Sequence, residues 1–180
     1  MGTRGVLVVA LSVSALIVST AERVVAFDQQ IHIVQSVEDP NVAPDLSVCD
    51  LASFTPNAVL AASLYAARTR ASDARVVNSA RKVGFGTACV RITSLNVGAT
   101  AQMFSEFNID GERHLGEGVC VVGENTVPAA GLILAGCTIV LDAGPGIAGG
   151  LATSNTVFNP FGLPGFETGS IWTVQLFVED

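Results

Sequence analysis

From residue 27 onward, apolar and polar positions alternate over most of the chain, and a period of two is that of a β-strand. Gln30 to Glu38 places Ile31, Ile33 and Val37 on one face and His32, Ser36 and Glu38 on the other. Gly86 to Thr93, "GTACVRIT", is rich in strand-forming residues. Ala101 to Ile109, "AQMFSEFNI", runs into Asp110-Gly111, a strong hairpin signal, and Arg113 to Val122 returns from it. Leu132 to Leu141, "LILAGCTIVL", is apolar on both faces and reads as a central strand. Ser170 to Val178 sets Trp172, Val174, Leu176 and Val178 on one face. Asn57 to Arg68, "NAVLAASLYAAR", is the one segment with a helical claim, since its alanines favour helix, but a strand fits it equally. Regularly spaced strands with Gly-rich turns predict a single all-β, antiparallel domain, either a barrel or a β-sandwich.

One stretch breaks the pattern. Gly149 to Trp172, "GGLATSNTVFNPFGLPGFETGSIW", is too interrupted by glycine and proline for a helix and too apolar for an ordinary solvated loop. Its only charge is Glu167. Proline fixes φ and glycine permits positive φ, so such a segment can be ordered without ladder hydrogen bonds. The expectation is that Phe158 to Ser170 folds as a lid over one open end of the domain and buries at least two of Phe158, Phe161 and Phe166. It either seals the core or touches a ligand through Asn155, Phe158, Asn159, Phe161, Phe166 and Trp172.

The first residues change the picture of where the protein works. Arg4 precedes "GVLVVALSVSALIV" (Gly5 to Val18), which has the length of a signal-peptide core and is short for a membrane span. Cleavage is expected after Ala21 or Ala26, with the second preferred, so that residues 1–26 are a signal peptide and residues 27–180 the single β domain. An uncleaved anchor is the alternative. The expected location is secreted, extracellular or periplasmic. Cys49, Cys89, Cys120 and Cys137 make an even set, which behind a signal peptide favours two disulfides. Of the three possible pairings we expect Cys49–Cys89 with Cys120–Cys137. Their spacing matches no zinc pattern, and there is no C-x-x-C. A net charge of −7 with a single lysine, Lys82, makes nucleic acid and anionic membranes poor partners. No membrane association is expected once the signal is cleaved.

The run from "SLYAARTRAS" through "KVGFGTACVRIT" to "MFSEFNIDGERHLGEGV", with a later Gly149-Gly150, resembles the allene oxide cyclase and dirigent group of β-barrels. The similarity is one of pattern and covers residues 60–150. It implies an eight-stranded barrel around an apolar cavity, in a group that includes cofactor-free enzymes and guides shaping reactive small molecules. The chain departs from it at Gly149-Gly150-Leu151-Ala152, which lacks the group's following Gly-rich repeat. It departs again at the insertion "NPFGLPGFETGS". No catalytic residue of the group maps onto this sequence.

The remaining candidate chemistry is sparse. Gly144-Pro145-Gly146-Ile147-Ala148-Gly149 fits G-x-G-x-x-G formally, but no helix pattern follows to hold a pyrophosphate, so it reads as a turn. Asp110, Glu112 and His114, spaced by two, could share a strand face and meet a metal or act as acid and base, against a plain solvated hairpin. His32, Glu106, His114 and Glu117 could form a polar cluster inside a barrel. Arg68, Arg70, Arg75, Arg81 and Lys82 crowd one segment and read mainly as a solvated hairpin with local ion pairs. No metal and no cofactor is expected. Three function classes remain: a binder of a small apolar or aromatic ligand, a cofactor-free isomerase, cyclase or coupling guide, and a structural or surface-interaction protein with a filled core. The barrel interior decides among them.

Overall fold

A computed structural model describes residues 27–39, 41–73, 75–125, 131–159, 161, 163–164 and 169–179, with backbone alone for 76–80. The expected signal peptide and Phe166 lie outside the described residues. Eight strands follow one another: β1 (Phe27–Glu38), β2 (Ala58–Thr69), β3 (Val76–Arg91), β4 (Thr100–Ile109), β5 (Glu112–Val122), β6 (Ile133–Leu141), β7 (Ile147–Phe158) and β8 (Gly169–Glu179). One helical turn, α1 (Leu46–Cys49), sits between β1 and β2 and is capped by the Asp45 carboxylate, which accepts from the Ser47 N–H. Each strand pairs antiparallel with its neighbour in sequence, and β8 pairs back onto β1, closing the barrel. Closure leaves no sheet edge to be managed.

The Asp110-Gly111 turn between β4 and β5 shows how sequence sets this geometry. A two-residue hairpin that matches strand twist needs positive φ at both positions. Asp110 has φ 51° and Gly111 has φ 92°, with Ile109 paired to Glu112 across the turn. The Arg81 guanidinium donates to the Asp110 carboxylate at 2.9 Å on the exposed side. The Ala-rich segment at 58–69 is a strand, because its neighbours β1 and β3 supply a ladder on each side. The first half of the interrupted stretch is a strand as well. Ile147 to Phe158 is held by β6 and β8, with a register shift between Ile147 and Gly149.

Side-chain alternation divides the barrel wall into an inner and an outer row. The inner row supplies the main core, including Val34, Leu64, Phe107, Ile139, Trp172, Val174 and Leu176. On β1 this places His32, Val34, Ser36 and Glu38 inward. Ile31 and Ile33 point out and are exposed. The outer row of β6 is also exposed, Val140 most of all, so this strand is buried on one face only. A barrel strand has only one dry side, and an apolar outer row does not change that.

Part of the outer wall is covered. Residues 41–57 cross the outside of the wall toward β5, and their Val48 and Phe54 form a second small core with Cys89 of β3 and Phe104 of β4. The Cys49–Cys89 disulfide fixes this segment to β3, and Glu117 on β5 accepts from the Ser53 backbone N–H at 3.0 Å and from its hydroxyl. The second disulfide, Cys120–Cys137, bridges directly paired residues of β5 and β6. Both pairs match the expected pairing, and no free cysteine remains.

Candidate functional site

An up-and-down barrel puts alternate connections at opposite ends. The short connections β2–β3, β4–β5 and β6–β7 close one end. The connections β1–β2, β3–β4, β5–β6 and β7–β8 belong to the other, which is the mouth. A cavity of about 110 Å³ occupies the mouth half of the interior. Its deepest large residues are Leu64, Phe107 and Trp172. The Phe107 and Trp172 rings meet edge-on, 5.0 Å apart and 71° inclined. Beyond them Val174, Leu176, Ile139 and Ile109 form the centre of the buried core. A second, more polar concavity of about 580 Å³ lies at the opposite end, lined by Gln30, Glu112, Arg113, His114, Asp142 and the turn before Ile147. An eight-stranded barrel is just wide enough either to be filled by side chains or to hold one small ligand, and the mouth half has room for a ligand.

The cavity wall is mainly aliphatic and aromatic, with hydroxyls at defined places. On β7 and β8, Ser154 Oγ lies 3.0 Å from Thr156 Oγ1, which lies 2.6 Å from Ser170 Oγ. Trp172 Nε1 donates to Ser36 Oγ at 3.2 Å, so the indole N–H is satisfied by the neighbouring strand. The Cys120–Cys137 bridge also lines the wall, with Met103 Sδ 3.4 Å from Cys120 Sγ. On β4, opposite β8 in the ring of eight, Ser105 is almost fully buried and lines the cavity. Its Oγ has no hydrogen-bond partner. Its cross-strand neighbours are Ala88 and Gly116, and the residues above and below it on the inner row are Met103 and Phe107. None of these four can reach it with a side-chain oxygen or nitrogen.

The candidate residues from the sequence separate cleanly. Trp172 and Phe158 line the cavity. Asn159 stands at the rim, where its side chain bonds both the N–H and the carbonyl of Leu163 at 2.9 Å. Asn155 is on the outer row of β7 and exposed, so it cannot touch a ligand in the barrel. Phe161 is 74% exposed and lies against Gly131 of the facing connection, so it is not one of the buried rings, while Phe158 is half-buried.

The proposed polar cluster is split by the barrel wall. His32 and His114 belong to the inner row near the closed end, where the buried His114 imidazole has its pKa lowered. Burial is the main cause and the nearby His32 a lesser one, while Glu112 opposes the shift. Glu106 and Glu117 are on the outer row. Glu106 is buried there with its Oε1 2.5 Å from Arg113 Nε, and Glu117 holds Ser53. Asp110, Glu112 and His114 do not converge either, because Asp110 is consumed by its turn and by Arg81. Among the described residues no group of three or more His, Cys, Asp or Glu side chains is placed to hold a metal ion. The arginine-rich segment forms the exposed β2–β3 hairpin, with Arg70 paired to Asp73 at 3.2 Å. The G-x-G-x-x-G match is the β6–β7 turn, closed by reciprocal backbone bonds between Gly144 and Ile147.

Sequence reasoning missed Ser105, although a signal existed. The inner row of β4 reads Ala101, Met103, Ser105, Phe107, Ile109, one hydroxyl in an otherwise apolar series. Comparison of the chain with family models, with curated proteins and with solved structures returned no match.

Proposed function

We propose that this protein is an exported binder of a small apolar or aromatic molecule, held in the mouth half of the barrel. The observation that carries the proposal is the apolar cavity of about 110 Å³ above Phe107 and Trp172, at the mouth end of the main core. Ligand sites are typically apolar concavities with a few placed polar groups, and the mouth of a barrel is a common location. The two disulfides and the absence of free cysteines support an oxidising compartment, in keeping with the export signal read from residues 1–26.

The resemblance to the allene oxide cyclase and dirigent group would add shaping of a reactive molecule to this binding. The cavity wall offers hydroxyls for orientation, but of the two carboxylate residues in its described lining Glu38 stands at the rim and Glu106 belongs to the outer row, paired with Arg113, so binding is the better-supported reading. A filled structural core is disfavoured by the cavity itself.

The test is saturable binding of toluene to the intact, oxidised protein. Trp172 is the only tryptophan, so its indole N–H gives a single, assigned resonance at the cavity floor. That resonance should shift to a plateau as toluene is added. No saturable shift up to the solubility limit of toluene would refute the proposal.

A further inference from the structure

Ser105 narrows the ligand class, and the inference rests on the binding proposal above. We infer that the ligand is a neutral molecule, about one six-membered ring in its buried part, carrying a hydroxyl or carbonyl oxygen that bonds Ser105 Oγ. Three observations combine. The first is size. An apolar cavity of about 150 Å³ accepts benzene, so a cavity of about 110 Å³ that opens at the mouth takes one ring or a short chain. Anything longer must leave its remainder between the mouth connections, beside the exposed Leu95.

The second observation is charge. Among the described residues that line the cavity there is no Lys, Arg or His; Glu38 stands at the rim, and Glu106, which belongs to the outer row, is paired with Arg113. A carboxylate or phosphate would be desolvated there without a counter-charge, which is strongly unfavourable. An ammonium group could meet Glu38 only at the mouth, out of reach of the floor.

The third is the orphaned hydroxyl. Native proteins rarely bury a hydroxyl without a partner, and an exception calls for an explanation. The hydroxyls across the cavity, on β7 and β8, already bond one another. Among the described buried side chains only Ser105 Oγ and the second carboxylate oxygen of Glu106 lack a partner, and of the two only the hydroxyl can both donate and accept. A water at this position would find one side-chain partner where a well-held buried water makes about three bonds. A ketone oxygen needs only one donor, and a phenolic hydroxyl needs only one acceptor. Ser105 supplies either. Ala88, which also lines the cavity, is the small neighbour on one side of it, while the space over Gly116 is filled by the Ile139 side chain and the Val140 carbonyl.

The experiment is a two-by-two comparison of phenol and toluene, which are nearly the same shape, on the parent and on Ser105→Ala. Binding is read from the Trp172 indole resonance of the oxidised protein. Loss of one neutral hydrogen bond should weaken phenol roughly 2- to 10-fold, with toluene unchanged or tighter. If Ser105→Ala weakens both in the same proportion, or neither, the role of Ser105 is wrong while the cavity remains a binding site. If neither probe binds the parent protein, the binding proposal fails and this inference with it. The substitution removes an unsatisfied atom from a site flanked by small residues, so the variant is expected to fold.

Discussion

Filling the cavity with protein atoms should stabilise the chain and end its ligand binding. Ala88 is suited to this, because it sits on the inner row of β3 between Leu60 and Ser105 and lines the cavity. Leucine adds three carbons. At about 0.8 kcal/mol per buried CH₂, complete burial without strain would contribute about 2.4 kcal/mol. Imperfect fit reduces this, and cavity-filling changes in practice yield roughly 0.5–2 kcal/mol. The void itself, at ~24 cal/mol per Å³, represents about 2.6 kcal/mol of missing stabilisation for a cavity of 110 Å³. A gain of about 1–2 kcal/mol for Ala88→Leu is therefore expected.

In a core that is already packed, the same substitution costs about 1–3 kcal/mol through displaced side chains. The two cases differ in sign, which makes the measurement decisive. Urea unfolding of the oxidised, ligand-free protein, followed by far-UV circular dichroism, gives the midpoint. Toluene titration of the same sample gives binding. A raised midpoint with binding lost supports the cavity reading. A midpoint lowered by the equivalent of 1 kcal/mol or more, or toluene binding that persists unchanged, would refute it.

Three further outcomes follow from particular residues. A Cβ at Gly118 would lie 1.9 Å from the Thr138 carbonyl oxygen on the adjacent strand, so Gly118→Ala must push β5 and β6 apart and should cost about 2 kcal/mol or more by urea unfolding. Phe161→Ala removes a ring that is 74% exposed and should change stability by no more than about 0.5 kcal/mol, whereas a loss near 3 kcal/mol would restore the buried lid. Burial lowers the His114 pKa below its ordinary 6.5, so the unfolded chain takes up a proton at a pH where the folded chain does not. Stability should then fall as pH drops below about 6.5 and level off once folded His114 also protonates. His114→Gln should flatten that part of the profile, and an unchanged slope would mean that another group causes it.

Where local chemistry dictated structure, the sequence was readable. The β4–β5 hairpin combines a period-two row with a dipeptide that tolerates positive φ, and both signals point to one register. β7 was unreadable for the opposite reason. "IAGGLATSNTVF" carries small and polar residues without a strong apolar row, so its strand state comes from its partners β6 and β8. β1 has an apolar row, but on the wrong side. Ile31 and Ile33 face out because Val34 pairs beside Trp172 at the packed centre, carrying His32 and Ser36 inward with it. The split of the proposed polar cluster was legible in arithmetic alone. His114 and Glu117 are three apart on one strand and must face opposite ways. What no sequence pattern shows is an empty volume. Ser105 could be placed in the barrel by alternation, but its lack of a partner depends on Ala88 and Gly116 on two other strands.

An open cavity and an orphaned hydroxyl both lower stability, and the covalent links lie where that loss is made. Together the void, at about 2.6 kcal/mol, and Ser105, at about 1–3 kcal/mol, come to roughly 4–6 kcal/mol. Both disulfides serve the mouth half. Cys120–Cys137 is part of the cavity wall, and Cys49–Cys89 ties residues 41–57 to β3. Sequence separations of 17 and 40 residues give about 3 and about 4 kcal/mol from reduced freedom of the unfolded chain. The two sums are of the same size, so the bonds can offset what an unfilled lumen leaves out. Cys49→Ala with Cys89→Ala should then lower stability by about 4 kcal/mol in urea, and Ala88→Leu added to that pair should return about 1–2 kcal/mol of it. A double-cysteine variant as stable as the parent would show that the main core carries the fold by itself. The disulfides would then have no part in keeping the cavity open.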